Sequence, residues 1–248
     1  MNRRLFVNVV ALLAALLLAA CSREYNTELM NASKDGDLAS VKAILARGAD
    51  IDQRNNKGKT ALMFAVSEGN TEVTRFLILQ GADVDAVDQY GTSALIVAAT
   101  AGHGDDVAAL LEAGADISVR DESGGAPLVN AVYFGHVDAV KALLGALSRQ
   151  PAGLEKQEGE ELLLLAAGLG HGEIVQALVK TGGVDVNGRG LKQRTALMAA
   201  AYFDKLDVAR ILLELGADPA LRDVEGNTAL DVATERGSDD IVPLLRAG

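Results

Sequence analysis

Residues 55–88 read NNKGKTALMFAVSEGNTEVTRFLILQGADVDAVD, and the order of turn formers and apolar residues in this stretch decides the fold. Gly58 permits the positive φ of an opening turn. Thr60 offers a hydroxyl that accepts from a free backbone N–H of a helix beginning at Ala61. Leu62, Ala65 and Val66 fall at i, i+3 and i+4 and share one helix face. Gly69 ends that helix. Val73, Phe76 and Leu77 repeat the spacing on a second helix, and Gly81 is placed to close it in the left-handed conformation. The stretch predicts two short helices between turns, with an apolar face that one unit cannot hide alone.

The pattern recurs in both directions. Gly-Ala-Asp begins at Gly48, Gly81 and Gly114, 33 residues apart, and again at Gly216. Leu29, Leu62, Leu95, Leu128, Leu163, Leu197 and Leu230 lie in register, with steps of 33, 33, 33, 35, 34 and 33. This resembles the ankyrin repeat, and the resemblance covers residues 27–248. It implies an all-α ankyrin-repeat solenoid of about seven helix-turn-helix repeats with short β-turn or hairpin connections, stabilised by stacking on neighbours. The family's Pro after the capping Thr is Ala61, Ala94, Ala196 and Ala229 here, with Pro127 alone retained. The family's His two residues later gives way to residues such as Met63 and Met198, which are good helix formers.

Two irregularities stand out. Residues 147–157 have lost Gly-Ala-Asp, gained two residues, and contain Pro151 and Gly153; Gly182-Gly183 (182–183) adds one more. Longer loops cost little, so both read as tolerated insertions, with a contact loop or slight bend as the functional alternative. The final unit carries polar Asp231, Thr234, Glu235 and Arg236, as a solvent-facing terminal repeat should. No room is left within residues 27–248 for a second domain.

Residues 1–20 read as an export signal. Arg3 and Arg4 give a positive start, and residues 5–18 give an apolar run of about fourteen residues, short for a bilayer span of about 20. Leu18-Ala19-Ala20-Cys21 resembles the lipobox of bacterial lipoproteins, and Cys21 is the only cysteine of the chain. The resemblance implies a diacylglyceryl thioether and an N-acyl chain on Cys21, with residues 21–26 as the lipidated tether. Two acyl chains already anchor stably. Ser22 in place of Asp favours, by the same resemblance, the outer membrane facing the periplasm. A simple N-terminal membrane anchor is the alternative. Five residues reach at most roughly 18 Å, so the first repeat is expected beside the bilayer.

Composition narrows the chemistry. The net charge is −11 over 248 residues, and becomes −13 once Arg3 and Arg4 leave with the signal. That argues against nucleic acid and against polybasic docking on anionic lipid. One cysteine allows neither an internal disulfide nor a Cys-based metal cluster. His103, His136 and His171 each follow a Gly at the junction between paired helices, where the repeat itself explains them through bonds to nearby backbone. Asp83, Asp85, Asp88, Asp116, Asp121, Asp218 and Asp223 recur with the turns and read as turn acceptors and helix N-terminal charges. Calcium between acidic loops is the alternative, although no EF-hand type loop is present. Nothing resembles a nucleophile elbow or phosphate loop. The expectation is a protein that is not an enzyme, takes no cofactor or small-molecule substrate, and binds a protein, with a metal-dependent enzyme or a partnerless spacer as the other classes.

Aromatics mark where a partner would sit. They make up 4% of the chain, whereas hydrophobic residues make up 49%, so the core is aliphatic. By the resemblance, ankyrin arrays bind through turn tips and the exposed end of each first helix. Those slots hold Tyr133 and Phe134, Leu169 after Gly168, and Tyr202 and Phe203, with Tyr90 at a turn tip. Interface hot spots favour such side chains. The expected site is therefore Tyr90, Tyr133, Phe134, Leu169, Tyr202 and Phe203, an apolar concave centre around units three to six rimmed by acidic turns. An acidic surface suits a basic envelope partner. Packing of one member of each aromatic pair on the next repeat is the alternative. By resemblance to ankyrin-like lipoproteins, the partner class includes a toxin met by an immunity or inhibitor protein, or an envelope-stress or redox enzyme held on a scaffold.

Overall fold

The computed structural model describes residues 26–151 and 153–247, so the export signal, Cys21 and most of the tether lie outside the described residues. Fourteen α-helices in seven pairs, with a short 3-10 turn at Leu191–Gln193, organise the described residues, and no strand is present among them. Units one and two are α1 (Glu28–Lys34) with α2 (Leu38–Ala46), and α3 (Ala61–Ser67) with α4 (Thr71–Leu79). Units three and four are α5 (Ala94–Ala101) with α6 (Gly104–Glu112), and α7 (Pro127–Phe134) with α8 (Val137–Leu147). Unit five pairs α9 (Lys156–Leu169) with α10 (Gly172–Lys180). Units six and seven are α11 (Ala196–Tyr202) with α12 (Leu206–Glu214), and α13 (Ala229–Arg236) with α14 (Ile241–Ala247).

The helix starts follow from their caps. Thr60, Ser93 and Thr195 accept from the N–H three residues on at 3.3–3.4 Å, and Thr27 and Thr228 do so at 3.2 Å. Unit four has Ala126 instead, but Pro127 occupies the first helical position, where a missing N–H loses nothing. Gly102 ends α5 at φ 83°, a conformation a side chain would oppose.

First helices stack on first helices, and second helices on second. One alanine in each of units two to seven makes this close: Ala65, Ala98, Ala131, Ala166, Ala200 and Ala233 are all fully buried. The next layer is leucine. Leu77, Leu110, Leu143, Leu178 and Leu212 line the second-helix seam with no exposure. Each unit thus hides its apolar face only against its neighbours, as a solenoid requires.

The expected hairpins are tight turns, with a single isolated bridge between Val87 and Ser93. Each closes through an N–H to C=O bond four residues on, at Asn55, Asp88, Asp121, Gly190 and Asp223, all at 3.0 Å. The irregular segment expected at 147–157 is shorter than that. Leu147 still ends α8, and Lys156 and Gln157 already belong to α9. Helix α9 runs 14 residues where other first helices run 7 or 8. The glycine turn is missing there, and the Glu- and Leu-rich sequence continues as helix instead. At Gly182-Gly183, Gly183 takes φ 68° and absorbs the extra residue in the turn after α10.

Candidate functional site

The polar residues that could carry chemistry are committed to the stack. The Nε2 of His103, His136 and His171 reaches the carbonyl oxygens of Ser67 (3.3 Å), Thr100 (3.0 Å) and Tyr133 (3.4 Å), each in the preceding unit. A carbonyl oxygen only accepts, so Nε2 carries the proton. Asn70 does the same work one unit earlier, donating to Ser33 and Lys34 carbonyls at 3.0 and 2.7 Å. Ser238 closes the series by donating to the Ala201 carbonyl at 2.9 Å. These bonds satisfy carbonyls left open at the ends of the first helices. The histidines are thus mortar between units.

The acidic turn residues are equally occupied. Asp88, Asp121 and Asp223 each accept two backbone N–H groups, two and four residues on, at 2.8–3.0 Å. Asp83, Asp116 and Asp218 each accept one from two residues on. Asp85 reaches across to the N–H of Asp116 at 2.8 Å. The Ser118 and Ser123 hydroxyls, which donate to Asp116 and Asp121 at 2.7 and 2.6 Å, act first and the backbone N–H groups second in holding these two carboxyls below the ordinary carboxylate range. No group of three or more metal-ligating side chains occurs among the described residues.

The six aromatic and leucine residues expected at the surface are all exposed. Tyr90, Tyr133, Phe134 and Phe203 are more than half exposed, and Leu169 and Tyr202 more than a third. Tyr133 and Phe134 meet edge to face with centroids 5.1 Å apart, and Phe134 stacks on His136 at 6.2 Å. Tyr90 stands on the turn tip of unit three, where its carbonyl accepts from Glu122 N–H at 2.9 Å. Tyr202 and Phe203 make a second edge-to-face pair at 4.9 Å. Phe203 also leans on unit five: a Cβ added at Gly168 would lie 3.0 Å from its ring. The packing alternative thus holds for Phe203, without covering it.

Tyr202 and Phe203 line a groove of about 540 Å³ over units five to seven. Its apolar floor includes Leu164, Leu165, Met198 and Val232, and Glu235 and Arg236 lie at the unit-seven wall. The Arg236 guanidinium sits 4.2 Å from the Tyr202 ring centroid, a favourable cation–π contact. A second hollow of about 350 Å³ brings Leu169 and Gly168 against the other side of Phe203. The groove therefore lies further toward unit seven than the centre expected from the sequence.

Other exposed residues escaped the sequence reading. Leu191 is 80% and Val224 61% exposed, on adjacent tips joined by Val224 N–H to the Lys192 carbonyl at 3.1 Å. The unit-six tip is unusual. Lys192 and Gln193 take φ 58° and 59°, and Gln193 stands where units two, three, four and seven have Gly58, Gly91, Gly124 and Gly226. Its opening residue, Gly190, also lacks the side-chain acceptor that Asp88, Asp121 and Asp223 supply. Both departures were visible as broken periodicity.

Comparison with known families settles the architecture. The family described as ankyrin repeats (3 copies) matches residues 29–121, 128–223 and 192–248, and ankyrin repeats (many copies) matches 105–144. This chain belongs to the ankyrin-repeat family. Its fold is similar to the crystal structure of the human ASB11 ankyrin repeat domain, with TM-score 0.72 and 27% identity over 90% of this chain and 99% of that one. The ankyrin repeat domain of Bcl-3 gives TM-score 0.70 and 27% identity, covering 90% and 100%. Among curated proteins, 82 residues are 46% identical to the E3 ubiquitin-protein ligase hecd-1 of Caenorhabditis elegans, covering 33% of this chain and 3% of that protein. A putative ankyrin repeat-containing protein of Treponema pallidum (strain Nichols) is 38% identical over 94 residues, 38% of this chain and 32% of that one. The chain thus spans a small part of the curated relatives it matches. What the ankyrin-repeat fold provides is a protein-interaction module.

Proposed function

We propose that this ankyrin-repeat chain is a lipid-anchored, periplasm-facing binding module that holds or masks a basic envelope protein and performs no covalent chemistry. The groove around Tyr202 and Phe203 carries the proposal. In a chain whose core is built from Ala, Leu and Val, two aromatic rings are left at the surface over an apolar floor, where central aromatics contribute most to binding. The anchoring rests on sequence: an export signal, then Leu18-Ala19-Ala20-Cys21 with the sole cysteine. The acidic charge supports a basic partner and fast, salt-sensitive encounter. An adaptor, inhibitor or immunity-type role fits such a surface, and the product of an adjacent gene would choose among them.

The test is in-cell cross-linking of the envelope followed by mass spectrometry, with the Tyr133→Ala, Tyr202→Ala double variant beside the parent chain. Both side chains are at the surface, so folding should persist. Loss of about 2 kcal/mol or more at a hot spot lowers capture roughly thirtyfold. Unchanged capture by a folded double variant would refute this use of the concave surface. Cys21→Ser should move the chain from the membrane to the soluble fraction; persistence in the membrane would remove the lipid anchor from the proposal.

A further inference from the structure

The seam between units two and three is bonded unequally along its two edges. On the turn side, Gln89 N–H donates to the Lys57 carbonyl and Asp83 N–H to the Asp52 carboxylate, both at 2.9 Å. The Arg54 guanidinium donates to the Val87 carbonyl at 2.6 Å, and His103 adds its bond to the Ser67 carbonyl. On the second-helix side, α6 meets α4 through buried Val73, Leu77, Val107 and Leu110. The ion pair across that side, Arg75 with Glu112 at 3.8 Å, is more than half exposed, and exposed pairs contribute little.

A carboxyl lies dry inside the weaker edge. Asp106 of α6 has no exposure. Neither of its oxygens makes a well-formed hydrogen bond, nor does the buried hydroxyl of Thr74, which faces it from α4 together with Thr71. Among the described residues, no other second helix buries a charged side chain. The charged groups of the packed elements leave it unpaired. On α4, Glu72 is exposed and Arg75 is turned to Glu112; on α8, Asp138 and Lys141 are exposed; α5 carries no ionisable side chain. At the start of its own helix, His103 favours the charged form and Asp105 opposes it, and burial raises the carboxyl above its ordinary value. The neutral acid tolerates a dry seam, whereas the carboxylate needs water or a partner.

We propose that this seam is a pH-operated hinge: ionisation of Asp106 swings α4 off α6 about the bonded turn edge and admits water to the carboxylate while the turns stay tied. Units one and two then tilt against units three to seven. The groove at Tyr202 and Phe203 lies across the hinge from unit one, so its attitude toward anything that holds the N-terminal end changes with pH. The sign follows from the raised pKa. The seam is closed at acid pH, where the carboxyl is protonated in both closed and open states. Opening grows as pH rises through the closed-state pKa and is level above it. This is a local opening and leaves the other seams packed.

Native-state amide hydrogen exchange of the full chain, from pH 4 to pH 8 and corrected for the intrinsic rate, tests this. Amides of α4 and α6 should exchange at least about tenfold faster at pH 8 than at pH 4, and those of α10 and α12 should not accelerate. Asp106→Asn, which keeps a polar group but cannot ionise, should remove the pH dependence. Asp106→Val should also slow α4 and α6 at pH 8 to the rates of α10 and α12. Exchange in α4 and α6 that is indifferent to pH in the parent chain would overturn the hinge, and the parent alone decides this. So would an acceleration shared equally by all seven units, which means global unfolding, or a pH dependence that survives in Asp106→Asn. The binding-module proposal stands or falls separately from each of these outcomes.

Discussion

Asp106 should be the weakest single point in the stack, and its replacement by valine should make the protein more stable. Its side chain lies in α6 in the slot that Val73, Ala139, Ile174 and Val208 fill in other units, and like them it is buried, with no exposure at all. Neither carboxyl oxygen makes a well-formed hydrogen bond, nor does the buried hydroxyl of Thr74, although the Thr71 and Thr74 hydroxyls face the carboxyl closely enough to favour its charged form. Burial pushes the carboxyl above its ordinary value of 3.8; Asp105 adds to this, while the Thr71 and Thr74 hydroxyls and His103 oppose it without reversing it. A buried, unsatisfied polar group costs about 1–3 kcal/mol, more when charged, and burying two methyl groups instead returns roughly 0.8 kcal/mol each. Asp106→Val should therefore add about 3 kcal/mol near neutral pH. At roughly 2–4 °C per kcal/mol for a chain of this size, the melting temperature should rise by about 6–12 °C.

The pH dependence has a defined sign. A carboxyl whose folded pKa is raised costs nothing extra below its unfolded value, where both states are protonated. Its penalty grows as pH rises from about 3.9 through the folded pKa and is constant above. Asp37, Asp116, Asp121 and Asp231 are shifted the other way by their hydrogen bonds, but they are common to both proteins and cancel in the difference. Urea unfolding of parent and Asp106→Val at a series of pH values should show a gap that opens upward from acid pH. A gap that is flat from pH 4 to 8, or a variant less stable than the parent at neutral pH, would refute a dry, unpaired carboxyl at this site.

Two backbone predictions follow from the turns. Gly102→Ala places a Cβ against the His136 ring at a residue with φ 83°, so it should cost at least about 1–2 kcal/mol of stability, read by thermal melting. A variant as stable as the parent would show that the interlock between units three and four is loose. Gln193→Gly relieves a left-handed side chain at roughly 1–2 kcal/mol against an entropic loss of about 0.5–1 kcal/mol. It should stabilise the chain by up to about 1 kcal/mol in denaturant unfolding, and a clear destabilisation would mean that the unit-six tip needs its glutamine.

The solenoid was legible because its cause is periodic: a capping hydroxyl, an alanine at the close helix contact and a leucine behind it repeat every 33 or so residues, and stacking follows from them. The histidine ladder was half legible. Its position between helices was readable from Gly-His, but its carbonyl partners lie 36–38 residues away and emerge only when units stack. The groove was less legible still. Tyr202 and Phe203 could be assigned to a surface slot, but the width of the cleft depends on Leu164 and Leu165, which α9 turns toward it, and on Val232 and Glu235 from the next unit. Asp106 was visible as an acid in an apolar register, yet lay in a run of acidic residues that solvent normally explains.

The irregular features that shape the concave side fall in units five to seven, which makes the front of the array replaceable. Removal of residues 91–123 joins Tyr90 to Gly124, keeps the 33-residue register, and deletes α5 and α6 together. Unit four then meets unit two through the same chemistry: His136 takes over the Ser67 carbonyl from His103, and Gly69 lies beneath its ring as Gly102 did. Because stability in such arrays is nearly a sum of unit and neighbour terms, one unit and one interface are lost, but the buried Asp106 goes with them. The shortened chain should fold, melt in a single transition close to the parent, and capture its partner in envelope cross-linking to the same extent, although the exposed Arg120–Glu158 ion pair goes with the deleted segment. If it folds but capture disappears, units one to three contact the partner directly, with Tyr90 the first side chain to replace, and the groove at Tyr202 and Phe203 is only part of the binding surface.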